Sequence, residues 1–132
     1  MKKIKISEGY IYMFWAPLAG GPHIDHSLLD LNLNNVKSIE KLVNELLFLE
    51  YNEFSMSWKH RCKESFKYVI RYASDEKLTR YYDSGAPQIL LPDMIPVRAF
   101  YIYVWKFMFG DESYEAANLE DYEIISRFDI FN

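Results

Sequence analysis

The chain has a single cysteine, Cys62, so it can form no internal disulfide and does not belong to the disulfide-framed small domains. Its longest apolar segment, Met94 to Phe109, is shorter than a membrane span and contains Arg98 and Lys106. The basic start, Met1-Lys2-Lys3-Ile4-Lys5, runs into Ser7, Glu8 and Gly9 with no long apolar stretch or small-residue cleavage site behind it. It does not read as a signal peptide, and a cytoplasmic location is the expectation. Positive charge is also in short supply. The formal net charge of -4 argues against a general phosphate-backbone binder, so neither nucleic acid nor a membrane is the expected partner.

Phosphate and cofactor motifs are missing as well. Gly20-Gly21 is not part of a Gly-x-Gly-x-x-Gly or a Gly-Lys-Ser/Thr loop, and no Gly-x-Ser-x-Gly elbow occurs. No cofactor is expected. There is no internal repeat and no low-complexity tract, so the 132 residues are read as one globular domain, 1–132.

What the chain does have is aromatic side chains. They make up 17% of it, with 11 Tyr and 9 Phe, and they supply much burial per residue in a small core. Most of these rings are expected in the core and its half-buried shell. Tyr also keeps a polar tip that suits a surface meeting a partner.

The patterning predicts a mainly α fold, a compact helical domain with a short N-terminal β-strand or hairpin. Residues 4 to 15 read as extended, with Ile4, Ile6, Tyr10, Tyr12 and Phe14 on one face and Gly9 dividing the stretch or marking a bulge. Pro17, Gly20, Gly21 and Pro22 then break it, and a connection from Ala16 to Asn35 is anchored by Leu28, Leu29, Leu31 and Leu33. A helix capped by Ser38 carries Ile39, Leu42, Val43, Leu46 and Leu47 on one face. A second, from about Ser57 to Ala73, has Trp58, Cys62, Phe66, Val69, Ile70 and Ala73 as its stripe. A short third helix is expected from Asp75 to before Gly85. Asp93 is a candidate cap for a helix from Met94 to Phe109 ended by Gly110, with Arg98, Ile102 and Lys106 as its outer stripe. The alternative there is α+β, with residues 100–109 as a strand, because that run is rich in aromatic and β-branched residues. The tail is expected to hold one or two short helices around Glu115 and Glu123.

Two constellations could carry chemistry. His23, Asp25 and His26 follow a Gly-Gly-Pro turn and are ligand types for zinc, iron or manganese. No further ligand stands at a defined spacing, so an exposed loop with Asp25 or Ser27 capping the next turn is the plainer reading, and no metal site is assigned. Cys62 lies between Lys59, His60, Arg61 and Lys63 in sequence but shares the apolar stripe with Trp58 and Phe66, which reads as a buried small hydrophobe. No catalytic residue is assigned.

The charge map says more. Between Trp58 and Arg80 seven Lys/Arg face three Asp/Glu, a surplus of four positive charges. Between Asp111 and Asn132 seven acids face one Arg, a surplus of six negative charges. The bland reading is two solvated faces, docked on each other or not. The sharper reading is an acidic patch with interleaved tyrosines that complements a basic protein and speeds its capture.

In general character the chain resembles the small immunity proteins that bacteria encode beside secreted toxins, contact-dependent growth inhibition systems among them. The features behind the resemblance are the compact domain, the acidic balance, the many Tyr and Phe, the single Cys and the lack of a catalytic motif. Immunity proteins share no single motif, so no residue is carried over. The resemblance implies tight binding to one cognate toxin, often a nuclease, by covering its basic active site or docking beside it. The partner-binding candidates are Asp111, Glu112, Tyr114, Glu115, Glu120, Asp121, Tyr122 and Glu123. A small metal-dependent enzyme using His23, Asp25 and His26, and a self-associating structural or regulatory domain, are the alternatives.

Overall fold

A computed structural model describes residues 2–20 and 24–126. The fold is mainly α. A short strand β1 (Ile4–Ile6) leads into helix α1 (Glu8–Trp15) and a 3-10 turn (Ala16–Ala19). One helical turn, α2 (His26–Leu29), follows. Helix α3 (Val36–Leu42) continues through a π-helical turn (Val43–Leu47) into α4 (Phe48–Asn52). Then come α5 (Met56–Tyr72), α6 (Asp75–Asp83) and α7 (Val97–Phe109), and after a further 3-10 turn (Leu119–Asp121) the chain ends its described part in β2 (Tyr122–Ile124).

The stretch 4 to 15 is not extended throughout, which corrects the reading from alternation. Only Ile4–Ile6 forms a strand. Ser7 breaks it, because its Oγ accepts the Gly9 N–H and so caps α1. Gly9 sits buried in the first helical turn rather than at a bulge. The segment is apolar on nearly every residue, so periods of two and of 3.6 fit it equally well. The pairs Tyr10/Phe14 and Ile11/Trp15, each four apart, are the ones buried.

The helices over 56–72 and 75–83 lie where their periodicity predicts. Ser55 and Ser74 cap them, with Oγ atoms accepting the N–H groups of Trp58 and Lys77. Asn35, not Ser38, caps α3, its side chain accepting from Lys37 N–H. Inside the following π-helical turn, Val43, Leu46 and Leu47 are buried, continuing the face that Ile39 and Leu42 begin.

Residues 100–109 are helical, which removes the strand alternative. The helix begins at Val97 rather than Met94. Asp93 is spent instead on the Asn34 amide, whose Oδ1 in turn accepts the Met94 N–H, both at 2.8 Å. Gly110 ends α7 at φ +64, the left-handed value that glycine takes without strain. Among the described residues no α-helix forms around Glu115 or Glu123. From Glu112 to Asn118 the chain has no regular structure, and residues 122–124 pair in parallel with β1, Ile4 opposite Tyr122 and Ile6 opposite Ile124. A parallel partner more than a hundred residues away leaves no local mark in sequence.

The core centres on Trp15. Its ring meets Phe66 of α5, Tyr82 of α6 and Phe100 and Tyr101 of α7, with centroids 5.0–6.0 Å apart. Its Nε1–H donates to the Tyr101 hydroxyl at 3.2 Å, and that hydroxyl donates to the Leu78 carbonyl at 2.6 Å. Arg98 is not simply an outer residue. Its guanidinium donates to the Ile70 and Ala73 carbonyls at the end of α5 and to Asp75 at the start of α6, so it holds the α5–α6 corner.

Replacing Tyr101 by Phe should cost about 1–3 kcal/mol, because it leaves the Trp15 N–H buried without a partner and removes a second bond to the Leu78 carbonyl. Urea unfolding of the variant checks this; a loss of a few tenths of a kcal/mol would show that the hydroxyl bridges nothing of consequence.

Alkaline pH should unfold the chain. Burial pushes the Cys62 thiol up from 9.0 to about 12, because it penalises the thiolate. Burial likewise raises Tyr51, Tyr81, Tyr82 and Tyr101 above 10.0. The folded chain therefore holds these protons more tightly than the unfolded one. Their contribution to stability is complete below pH 9.0 and is lost as the pH rises toward about 12. Tyrosinate absorbance followed beside circular dichroism should show the buried phenols ionising together with unfolding. Full ionisation of every tyrosine in a still-folded chain would contradict this.

Candidate functional site

The acidic tail is laid along α5 and α7 by ties to its backbone. Trp105 Nε1–H donates to the Glu112 carbonyl at 2.6 Å. The Tyr72 hydroxyl donates to the Ala117 carbonyl at 2.8 Å, and the Ala117 N–H donates to the Tyr122 hydroxyl at 2.9 Å. The Tyr122 ring packs edge-on against Tyr68, with centroids 5.1 Å apart. Burial holds the Tyr122 phenol above its ordinary range, against the lowering effect of the Ala117 N–H.

These ties sort the eight candidate residues. Tyr122 is buried at 6% exposure and is a packing residue of the tail, turned away from any partner. Tyr114 is half-buried against the core. Glu112 is exposed, but Lys63 Nζ binds its carboxylate at 2.6 Å while lying 4.6 Å from the centre of the Phe109 ring. Asp111, Glu115, Glu120 and Glu123 are exposed, and Asp121 is half-buried. Among the described residues none of these five carboxylates forms an ion pair. Leu119 and Ile124 stand among them with 56% and 64% of their surface exposed. Sequence reasoning passed over these two because isolated apolar residues in a polar tail carry no period. The result is an acidic edge with two apolar side chains set in it.

The basic helix has a different character. Lys63 and Lys67 are paired with Glu112 and Glu64. Arg61 donates to the Tyr10 hydroxyl at 3.2 Å, and Arg71 lies over the Tyr72 ring. Lys67 also approaches the Trp105 ring, and Lys59 the Tyr51 ring. Much of the positive surplus is thus used to bind α5 to its own aromatic neighbours. Through Lys63 and Glu112 the two oppositely charged regions are partly docked on each other.

Of the possible metal ligands, Asp25 caps α2, with its carboxylate accepting the Ser27 N–H at 2.9 Å. That bond holds its carboxyl below the ordinary value. His26 is exposed in the same turn, and His23 lies outside the described residues. Among the described residues no three His, Cys, Asp or Glu side chains gather where they could hold a metal. Cys62 is 1% exposed and its Sγ faces the Tyr10 carbonyl at 3.8 Å. A thiol with its pKa pushed up to about 12 is not a nucleophile at neutral pH. No helix among the described residues is long and apolar enough to cross a membrane.

Compared with protein-family models, curated proteins and solved structures, the chain finds no match.

Changing Tyr122 to Phe should leave the fold intact and free the Ala117 amide. Its hydrogen exchange should quicken by about tenfold, the worth of one hydrogen bond of this kind. An unchanged exchange rate would mean that the tail is held without this tie.

Proposed function

We propose that the chain is a non-enzymatic immunity protein that binds a cognate protein toxin, with a basic nuclease domain as the target. The observation that supports this reading is the acidic tail, where exposed carboxylates with no ion pair among the described residues flank the exposed Leu119 and Ile124 in the chain. A nuclease cleft is positive because it must hold phosphates. Carboxylates fixed on a firmly tied segment present the opposite charge at small entropic cost, and they raise the rate of encounter. The exposed apolar side chains interspersed with them supply the desolvated contacts that slow dissociation. The protein would act in the cytoplasm by covering the toxin's active site or docking beside it. The basic helix, busy with its own neighbours, faces elsewhere in this arrangement.

The test is co-expression with the toxin domain encoded by the neighbouring gene, followed by kinetics on the purified pair. The chain should restore growth and form a one-to-one complex. Changing Glu120, Asp121 and Glu123 together to Gln and Asn should slow association by about tenfold or more at low salt and flatten its salt dependence. Growth rescue without a complex would overturn the binding mechanism. A complex with an unaltered association rate would move the docking face away from the tail.

A further inference from the structure

A cavity of about 230 Å³ opens where the β1–α1 junction, α5, α6 and the end of β2 meet. Its walls are apolar and aromatic, with Ile6, Val69, Tyr68 and Tyr72 among them. Two buried hydroxyls also line it, Ser7 at 4% and Ser65 at 1% exposure. Each oxygen accepts a backbone N–H, Ser7 from Gly9 and Ser65 from Ser7, both at 3.1 Å. Neither hydroxyl proton has an acceptor among the described residues, so both remain available to a ligand that brings one.

Charge is placed at the rim. Glu8, next to Ser7 in the chain, lines the cavity, and its carboxylate accepts the Tyr81 hydroxyl at 3.0 Å. That bond orients the carboxylate and leaves further lone pairs free. Lys77 of α6 lines the cavity as well and forms no ion pair among the described residues. Hydroxyl donors, a carboxylate acceptor and a lysine thus all line one cavity.

We propose that this cavity binds a free α-amino acid with an apolar side chain. The ligand's carboxylate takes the Ser7 and Ser65 hydroxyl protons and the field of Lys77. Its ammonium, on the adjacent carbon, meets Glu8. Its side chain lies against Val69 and the edge of the Tyr68 and Tyr72 rings, which pack on each other with centroids 5.3 Å apart. The volume sets the class, since it falls below the roughly 300 Å³ at which sites for drug-sized ligands begin and leaves no room for a nucleotide. The charge pattern sets the zwitterion, since a fatty or aryl acid would leave Glu8 facing a carboxylate. The site shares Ile124 with the acidic edge but does not rest on the toxin-binding reading.

Amide NMR titration of the whole chain with L-leucine and L-phenylalanine tests it. Saturable shifts should appear at Ser7, Glu8 and Ser65. L-Phenylalaninamide, which lacks the carboxylate, and 3-phenylpropionate, which lacks the ammonium, should each bind at least about tenfold more weakly. Lys77 is exposed and its side chain forms no ion pair among the described residues, so Lys77→Gln should keep the folded spectrum and weaken L-phenylalanine by several-fold. Glu8→Gln should abolish the preference for L-phenylalanine over 3-phenylpropionate. The absence of saturable shifts with both amino acids would overturn the proposal, and so would equal binding of 3-phenylpropionate by the unaltered chain.

Discussion

Four helices meet at the indole of Trp15. The residue stands at the end of α1, and its ring is walled by Phe66, Tyr82, Phe100 and Tyr101. An indole buried this deeply needs an acceptor for its N–H, and Tyr101 supplies one from α7. The same hydroxyl spends its proton on Leu78 in α6. One short chain of hydrogen bonds thus fixes α1, α6 and α7 to one another in both position and rotation. Packing alone tolerates some sliding of apolar rings, whereas a buried polar chain does not. The positions of β1 before α1 and of the tail after α7 both follow from that arrangement.

The tyrosines extend this device outward. Tyr82 donates to the Ile89 carbonyl, Tyr72 to Ala117 and Tyr51 to Lys59. Tyr82 and Tyr72 satisfy carbonyls in connecting segments, which no helix pairs, and Tyr51 adds a second bond to a carbonyl in the first turn of α5. With a single two-strand sheet among the described residues, few ladder bonds are on offer to the connections. Long side chains with a polar tip can leave the core, reach those carbonyls and still bury their rings. The high aromatic share is therefore spent twice, on the core and on its loops.

This double use explains what was legible in the sequence. Helices α5 and α6 could be placed from their amphipathic stripes, α7 was legible only as one of two readings of an apolar run, and Cys62 was readable as a core residue from its place in the α5 stripe. Helix α1 was not, because its residues are apolar on both faces and period carries no information there. Strand β2 was out of reach, since its partner lies at the other end of the chain. The candidate site divides along the same line. The excess of acid in the tail was plain from composition. That Tyr122 turns inward, and that Glu112 is held by Lys63, depend on contacts between distant elements.

The two charged regions differ for a physical reason. Lysine and arginine have long apolar stems and cationic ends that suit aromatic faces, so a basic helix packed against rings can spend its charge locally. Lys59, Lys63, Lys67 and Arg71 each lie over such a ring. Aspartate and glutamate gain nothing from a ring face, whose quadrupole is negative like themselves. In a chain this rich in aromatics the cations are drawn onto the fold and many of the carboxylates are left at its edge. An acidic outer surface on the tail is then a consequence of the core's composition. Its use as a binding face would exploit a field that the packing of the cations already leaves in place.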